Sequence, residues 1–350
     1  MLLTGHDGYI GSVMGASLRA AGHEVVGVDM LYFSKQMTEP KSKTELQGDI
    51  RDIDLSGLEG TEAIIHLAAL SNDSLGQINP ELTYEINHKA SVRLAKLAKE
   101  AGVRRFLYAS TCSVYGVAKQ DELATEDSPM HPLTPYAISK VRVEEDLSKM
   151  ADGIFSPVFL RNATAYGWSP NFRSDLVVNN LACWAYTTGE IRIMSDGTPW
   201  RPVVHVLDIA NAFASALAAP REAIHNQAFN VGIYNENYQI SELADIVREG
   251  FADCRVIYDE NSGSDPRSYR VDFSKITEKL SEYNPAWNVR KGVTELRAAF
   301  DETGLTCEDF TGPKYVRLAR LMKLMEEGQL DSTLRWVERA VEPTAQAIRR

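Results

Sequence analysis

A short apolar segment, a glycine-rich turn and a helical pattern open the chain, and this order restricts the fold more than any other feature. The turn reads Thr4-Gly5-His6-Asp7-Gly8-Tyr9-Ile10-Gly11. Glycines at this spacing let the backbone approach a pyrophosphate, whose charge then lies at the helix N-terminus. The spacing alone is weak evidence, because any tight strand-to-helix turn favours glycine. The strand before it and the helix after it predict dinucleotide contacts from Gly5, Gly8, Tyr9, Ile10 and Gly11.

Asp29 follows this turn at the end of a second apolar segment, 18 residues after Gly11. A carboxylate at this place can accept hydrogen bonds from both ribose hydroxyls and repels a 2′-phosphate. Asp29 therefore favours NAD over NADP as the cofactor. The alternative is an ordinary solvated residue at a strand end.

Short apolar runs alternate with helical patterns through the first 165 residues. The runs cover residues 1–4, 25–29, 63–67, 105–109 and 158–161, and a long helix is predicted over residues 82–101, with Gly102 as its C-terminal stop. Such alternation is typical of βαβ units. We expect an α/β Rossmann fold, a doubly wound parallel sheet.

From about residue 166 the sequence becomes rich in turn-forming residues, with helical patterns over residues 176–186 and 240–251. We assign residues 1–165, with residues 202–230 returning, to an NAD-binding domain. Residues 166–201 and 231–300 form a smaller α/β substrate-binding lobe, and residues 301–350 a helical C-terminal extension. Leu318, Leu321, Met322 and Met325 recur on one face of this extension. This face predicts core packing or a partner surface and carries no catalytic signal.

The chain is acidic, with a formal net charge of −11. This balance argues against nucleic-acid or anionic-membrane partners, which need a basic surface. An anionic substrate requires locally placed arginines.

No apolar run approaches the roughly 18 residues of a membrane span. The four cysteines (Cys112, Cys183, Cys254 and Cys307) show no metal-ligand spacing. We expect a cytoplasmic enzyme without a metal.

Tyr136 and Lys140 lie four residues apart, so a helix projects both from one face. A nearby ammonium favours the ionised phenol, which gives a base near neutrality, and Lys140 is also placed to hold the nicotinamide ribose. The pair alone is common on solvated helices. Upstream, Ser110-Thr111-Cys112-Ser113 follows the apolar run over residues 105–109 and brings hydroxyls to the carboxyl edge of the sheet, where α/β proteins bind ligands.

With these residues in place, the chain resembles the extended short-chain dehydrogenase/reductase superfamily over roughly residues 1–300, in particular its nucleotide-sugar epimerases and dehydratases. The supporting segments are residues 4–11, Gly48-Asp49-Ile50-Arg51-Asp52, His66-Leu67-Ala68-Ala69-Leu70, Asn87, residues 110–116 and 136–140, Leu160-Arg161, Ala165-Tyr166-Gly167 and residues 201–208.

The resemblance assigns catalytic roles to Thr111, Tyr136 and Lys140. It implies that Asp49 and Ile50 flank the adenine and that the dinucleotide path also includes Leu67, Ala68, Ala69, Asn87 and Ser110. Without the resemblance, His66 is better interpreted as a packing histidine and Asn87 as an amide on a helix surface.

The two residues after Thr111 bear on the reaction. The 4,6-dehydratases of the superfamily carry Asp and Glu there, and the sugar-acid decarboxylases carry Glu at the second position; here Cys112 and Ser113 stand instead. Small neutral residues resemble the 4-epimerases. We favour packing for Cys112, although a thiol of low pKa can act as an acid or base.

The resulting hypothesis is an NAD-dependent nucleotide-sugar epimerase, with inversion at C4 through a transient 4-keto sugar. Alternatives are a 4-ketoreductase, dehydrogenase or dehydratase of the same superfamily, and an NAD-binding regulatory protein on this fold.

Substrate contacts are assigned mainly by the resemblance. Arg201 matches the family arginine that contacts the nucleotide diphosphate, and Arg267 or Arg270 supplies a second cation unless it is simply an exposed charge. Ser71 replaces a lysine of the galactose epimerases, and Thr164 replaces an asparagine of many relatives. The predicted substrate contacts are Ser71, Thr111, Cys112, Ser113, Thr164, Leu176, Arg201 and Arg267. Relatives pair the helices carrying Asn87 and Tyr136, which implies a homodimer.

Overall fold

The fold was determined as a computed structural model, which describes residues 1–34, 44–54, 60–71, 79–117, 122–251, 253–258 and 267–337. The strands are β1 (Leu2–Thr4), β2 (Val26–Asp29), β3 (Glu45–Gln47), β4 (Ala63–His66), β5 (Arg105–Thr111), β6 (Leu123–Ala124), β7 (Ser156–Asn162), β8 (Thr164–Tyr166), β9 (Glu190–Ile193), β10 (Trp200–His205), β11 (Gln227–Val231), β12 (Asn237–Gln239), β13 (Arg255–Tyr258) and β14 (Arg270–Val271).

The helices are α1 (Tyr9–Ala20), α2 (Pro80–Thr83), α3 (Ala90–Glu100), α4 (Pro135–Ser148), α5 (Val177–Thr188), α6 (Val206–Ala218), α7 (Arg221–Ile224), α8 (Ile240–Gly250), α9 (Ser274–Lys279), α10 (Val289–Thr303), α11 (Cys307–Thr311) and α12 (Arg317–Glu326). A π-helical turn, Tyr84–Lys89, joins α2 to α3, and a 3₁₀ turn, Cys112–Tyr115, follows β5.

Seven parallel strands form the central sheet in the order β11-β7-β5-β4-β1-β2-β3. The direction of strand addition reverses at β1 and β4, so the loops leaving their carboxyl ends diverge and open a crevice. The glycine-rich turn leaves β1 at this crevice. The predicted Rossmann fold is confirmed.

All five predicted apolar runs form strands of this sheet, and their burial on both faces explains their continuous apolar sequences. The strand predicted over residues 105–109 continues to Thr111, so Ser110 and Thr111 end the strand rather than follow it. The predicted helix over residues 82–101 forms as α2, the π turn and α3, and Gly102 ends it with a φ of 79°.

The second lobe carries two small sheets, β12-β10-β8 and β13-β9. Helices α5, α8 and α10 pack on one another beside them. The predicted helix over residues 240–251 begins with a capping box between Gln239 and Glu242. Residues 202–230 divide between the lobes, because β10 pairs with β8 and β12, whereas α6 packs on α1 and β11 joins the central sheet.

The C-terminal extension folds back onto the first lobe through α12. Leu321 and Leu324 are buried against Tyr32 and Ile50. The prediction that Met322 and Met325 share the apolar face of Leu321 was wrong. Both methionines are exposed, because the inward face contains Arg317, Leu321 and Leu324 at i, i+4 and i+7. Residues 338–350 lie outside the described residues.

Replacing Leu324 with Ala should lower the free energy of unfolding by about 2–5 kcal/mol, because the change opens a cavity beneath α12. Replacing the neighbouring exposed Met325 with Ala should change it by less than about 1 kcal/mol. Urea titration of both variants measures the difference. Equal losses from the two substitutions would contradict this packing of the extension.

Candidate active site

A cavity of about 630 Å³ lies between the carboxyl edge of the central sheet and the second lobe. Its described lining includes seven basic residues (Arg51, Lys140, Arg173, Arg192, Arg201, Arg267 and Arg317) and three acidic residues (Asp29, Asp49 and Asp175). The cavity is therefore basic although the whole chain is acidic. It supplies the local arginines that an anionic substrate requires.

The glycine-rich turn forms one end of the cavity. Gly5 has a φ of 75°, and a Cβ on Gly11 would lie 1.9 Å from the Gly5 carbonyl oxygen. Only glycine at position 11 allows α1 to begin so close to β1, which leaves the helix N-terminus open to a pyrophosphate. The Tyr9 hydroxyl donates to the Gly167 carbonyl at 2.7 Å and joins the turn to the second lobe. This cradle fits a dinucleotide.

Asp29 stands beside the turn with its carboxylate held in place by two backbone amides. Oδ1 accepts a hydrogen bond from the Leu31 amide at 2.7 Å, and Oδ2 accepts one from the Asp7 amide at 3.2 Å. Burial raises the pKa of the Asp29 carboxyl group. Asp49 and Ile50 line the same end of the cavity. The ribose contact from Asp29 and the adenine contacts from Asp49 and Ile50 stay predictions, and the structure brings all three residues to the same end of the cavity.

Tyr136 and Lys140 both face the cavity from α4, in which Thr134 caps the N-terminus. The Lys140 Nζ donates to the Ala109 carbonyl at 2.6 Å and lies 5.6 Å from the centre of the Tyr136 ring. Burial lowers the pKa of Lys140 to about 7, and nearby Glu144 opposes this shift. The ammonium is therefore fixed next to the phenol of Tyr136.

A buried ion pair anchors this part of α4 to the sheet. Arg161 on β7 binds Glu144 on α4 with an Nη2 to Oε2 distance of 2.7 Å. Glu144 also accepts a hydrogen bond from Ser110 at 2.5 Å, and Arg161 donates to the Tyr115 hydroxyl at 3.0 Å. The pair thus links α4, β5 and β7 directly below Lys140.

Thr111 and Ser113 bring hydroxyl groups to the same cavity. The Thr111 Oγ1 accepts a hydrogen bond from the Ser113 amide at 3.1 Å, which caps the 3₁₀ turn. The Ser113 Oγ lies 3.3 Å from the Tyr269 hydroxyl oxygen. These groups can contact hydroxyls of a sugar.

Cys112 does not reach the cavity, so its predicted contact with substrate is corrected. The side chain is buried, and its thiol donates to the Arg161 carbonyl at 3.1 Å. Burial raises the pKa of the Cys112 thiol well above its ordinary value. The structure supports the packing interpretation of this cysteine.

Asn87 does not line the cavity either, and its interpretation as a surface amide was wrong. Its side chain is fully buried; it accepts from the Leu70 amide at 2.8 Å and donates to the Leu70 carbonyl at 3.0 Å. Asn87 thereby positions the loop after β4, which contains Ala68 and Ala69. Asn87 therefore holds the loop that is predicted to contact the dinucleotide but does not itself line the cavity.

His66 is a buried packing histidine, as the residue-level interpretation predicted. It hydrogen-bonds Thr4 at 2.6 Å and Ser91 at 2.7 Å, and burial lowers its pKa to about 3.

The remaining predicted site residues line the cavity: Gly5, Gly8, Tyr9, Ile10, Gly11, Asp29, Asp49, Ile50, Leu67, Ala68, Ala69, Ser71, Ser110, Thr111, Ser113, Tyr136, Lys140, Thr164, Leu176, Arg201 and Arg267.

Arg201 and Arg267 lie at the end of the cavity formed by the second lobe. Arg201 is nearly buried and donates to the carbonyls of Trp200, at 2.8 Å, and Arg267. Arg270 does not line the cavity, because its guanidinium packs over the Trp200 ring at 5.1 Å. Of the two candidates for a second cation, the structure brings Arg267 to the site.

Sequence reasoning missed several lining residues, above all Arg173 and Arg317. Arg173 donates to the Ser71 hydroxyl at 2.9 Å and forms a fork with Asp175. A cation thus lies beside position 71, where the galactose epimerases carry lysine, but it comes from the other lobe. No local spacing in the sequence predicts this placement.

A parallel sheet, a glycine cradle and a Tyr136-Lys140 pair define a dinucleotide-dependent enzyme of the short-chain dehydrogenase/reductase type. The model of the NAD-dependent epimerase/dehydratase family matches residues 1–232. The chain belongs to this family, which makes NAD its cofactor.

Curated relatives and solved structures agree with this assignment. A UDP-glucose 4-epimerase of Mycolicibacterium smegmatis is 34% identical over 243 residues, covering 66% of this chain and 76% of that protein. The UDP-glucose 4-epimerase of Thermotoga maritima, solved with UDP-glucose, is 26% identical with a TM-score of 0.76, covering 87% of this chain and 99% of that one. MoeE5, solved with UDP-glucuronic acid and NAD, is 28% identical with a TM-score of 0.74 and the same coverage.

The described part of the chain contains neither a membrane-spanning helix nor a cluster of metal ligands. None of its helices is long and apolar enough to cross a membrane. None of its clusters of His, Cys, Asp or Glu is suited to hold a metal ion.

Replacing Lys140 with Met should stabilise the cofactor-free protein most at low pH. Because the pKa of Lys140 is lowered from 10.5 to about 7, burying its ammonium costs most at pH 7 and below, and the cost fades towards pH 10.5. The melting temperature of Lys140→Met should therefore exceed that of the wild type by more at about pH 6 than at about pH 9. Melting curves of the cofactor-free proteins measure it.

Lys149→Met, at the C-cap of the same helix, is the control, since this side chain is exposed. Its effect should vary little between the two pH values. A Lys140→Met difference that is constant with pH, or that grows as pH rises, would show that the ammonium is not destabilised by burial.

Proposed function

We propose that this protein is an NAD-dependent nucleotide-sugar epimerase that inverts C4 through a transient 4-keto sugar. The observation that carries the proposal is the chemistry around Thr111. Ser113 offers only a hydroxyl group there, and Cys112 is buried with a raised pKa. Elimination of water needs an acid and a base in addition to the redox pair, and neither residue is suited to that role.

The acidic residues of the cavity support the same conclusion. Among the lining residues that the structure describes, Asp29 and Asp49 belong to the dinucleotide end, and Asp175 is forked with Arg173. None of the three stands at the two positions after Thr111, where the dehydratases of the superfamily carry their acid and base. Epimerisation requires only a redox step and one proton shuttle, for which Tyr136 suffices.

The cofactor would be held by the Gly5–Gly11 turn, by Asp29 at the adenosine ribose, and by Lys140 at the nicotinamide ribose. The chemistry that bound NAD supplies is reversible hydride transfer with the sugar carbon. The glycine cradle and the basic lining fit such a group, because both suit an anionic pyrophosphate.

The side chains of the protein handle the proton. Tyr136, ionised beside the Lys140 ammonium, takes the proton of the sugar hydroxyl, while Thr111 hydrogen-bonds the same oxygen. Tyr136 returns this proton when the keto sugar is reduced. Inversion requires that the keto sugar present its opposite face before reduction, so it must remain in the cavity between the two steps.

The diphosphate of the substrate would bind at Arg201 and Arg267, since both guanidinium groups line the second-lobe end of the cavity. Ser71 and Thr164 also line the cavity. Ser71 differs from the lysine of the galactose epimerases, and Thr164 differs from the asparagine of many relatives. UDP-sugars are the first substrates to test, because the solved relatives bind them. The homodimer implied by the resemblance stays a prediction, which sedimentation velocity can test.

The purified protein should interconvert a UDP-sugar and its C4 epimer without added cofactor. In heavy water the product should acquire no carbon-bound deuterium, since the hydrogen returns within the site. NMR and mass spectrometry of a panel of UDP-sugars measure both. Deuterium uptake would show enolisation, and stoichiometric consumption of NADH would show a net reductase; either result would overturn the proposal.

Replacing Tyr136 with Phe should lower kcat by roughly 10²- to 10⁴-fold, because it removes the proton-transfer group. Tyr166→Phe is the matched control, since the buried Tyr166 hydroxyl has no hydrogen-bond partner among the described residues and Tyr166 is not among those that line the cavity. Loss of the Tyr166 hydroxyl should leave kcat nearly unchanged. Full activity of Tyr136→Phe would remove this tyrosine from the mechanism.

A further inference from the structure

The segment covering residues 317–337, here called the C-terminal strap, lies across the adenosine end of the cavity. The Trp336 indole donates to the Met30 carbonyl at 2.7 Å, and Arg320 donates to the Tyr32 carbonyl at 3.0 Å. Arg51 donates to the Thr333 carbonyl at 2.8 Å. The strap therefore binds the chain directly after β2 and after β3, where the cofactor adenosine is expected.

Apolar contacts secure the strap. Leu321, Leu324, Leu330 and Leu334 are buried in one cluster with Tyr32, Ile50 and Ile86. These strap residues are no more than 4% exposed. The strap is thus an integral wall of the first lobe.

Arg317, the first residue of α12, faces the cavity from this wall. Its guanidinium lies 4.0 Å from the centre of the Phe33 ring, and its Nη2 donates to the Asn171 carbonyl at 2.6 Å. The Asn171 side chain in turn donates to the Asp7 carbonyl in the glycine-rich turn at 2.6 Å. Arg317 therefore lies between the pyrophosphate cradle and the segment that follows Asp29.

The charge of Arg317 is poorly compensated within the protein. Only 6% of the residue is exposed, and no carboxylate of the described residues forms a salt bridge with it. Asp175, Asp29 and Asp7 favour the charged form of Arg317 from nearby, but Asp175 is forked with Arg173. Burial, together with the charge of Arg173, lowers the pKa of Arg317 to about 9. A buried cation in this state is costly, and an anionic ligand would offset the cost.

We propose that Arg317 binds the pyrophosphate of the dinucleotide opposite the glycine-rich turn, so that the C-terminal strap forms part of the cofactor site. This inference rests on the NAD dependence in the proposed function. The substrate diphosphate is the less suitable partner, because Arg201 and Arg267 serve the other end of the cavity. Contact with the strap would also hold NAD in place throughout turnover, as an epimerase requires.

The test compares Arg317→Gln with Lys323→Gln, which removes an exposed charge from the same helix. Calorimetric titration of the cofactor-free proteins measures the dissociation constants of NAD, ADP and adenosine. Arg317→Gln should weaken NAD and ADP by roughly 10- to 100-fold, the range for loss of a charge-assisted hydrogen bond, and leave adenosine nearly unchanged. Lys323→Gln should change none of them more than about twofold.

Melting curves of the cofactor-free variants separate binding from folding. Arg317→Gln should melt at or above the wild-type temperature, because it removes a buried charge that forms no salt bridge with the described carboxylates. Unchanged NAD affinity in this variant would overturn the inference, as would an equal loss of adenosine binding. If the wild type binds NAD but no sugar is epimerised, the proposed function fails and the role of Arg317 remains testable. If the wild type does not bind NAD, both fail.

Discussion

The ion pair between Arg161 and Glu144 fixes the geometry on which the site depends. It is buried between β7 and α4, and Ser110 and Tyr115 satisfy its further hydrogen-bonding capacity. Burying two charges is tolerable only with such complete pairing. Glu144 lies one helical turn beyond Lys140, so the pair determines how α4 presents its reactive face to the end of β5. The side chains that we propose as catalytic are therefore held in position by two residues, Arg161 and Glu144, that do not line the cavity.

The distribution of charge distinguishes the cavity from the rest of the chain. The chain carries a net charge of −11, yet its cavity is lined mainly by basic residues. Several of these basic side chains are buried, and burial lowers the pKa of Lys140 and of Arg317. Such groups cost stability in the empty protein and favour anionic ligands strongly. An acidic surface with a basic interior suits an enzyme that takes diphosphate compounds and repels polyanions.

Local sequence patterns predicted the sheet well, because strands buried on both faces leave continuous apolar runs. They predicted the glycine cradle and Asp29 for a similar reason, since backbone constraints act over a few residues. The patterns were less informative where a side chain meets a distant partner. Asn87 lies on a helical turn, but its side chain is buried against the loop after β4. Cys112 directly follows Thr111, but its side chain is buried in the core. Helical periodicity likewise placed Met322 and Met325 on the wrong face.

The sequence by itself determined the fold class, the dinucleotide turn and the Tyr136-Lys140 spacing, because each is encoded within one strand, turn or helix. The tertiary structure decided which charges share the cavity. Arg173 reaches Ser71 from the second lobe. Arg317 lines the same cavity from the last described helix. More than 100 residues separate the partners Arg173 and Ser71. Only the packing of the lobes and the strap brings such residues together. The periodicity of the sequence does not predict contacts between residues so far apart in the chain.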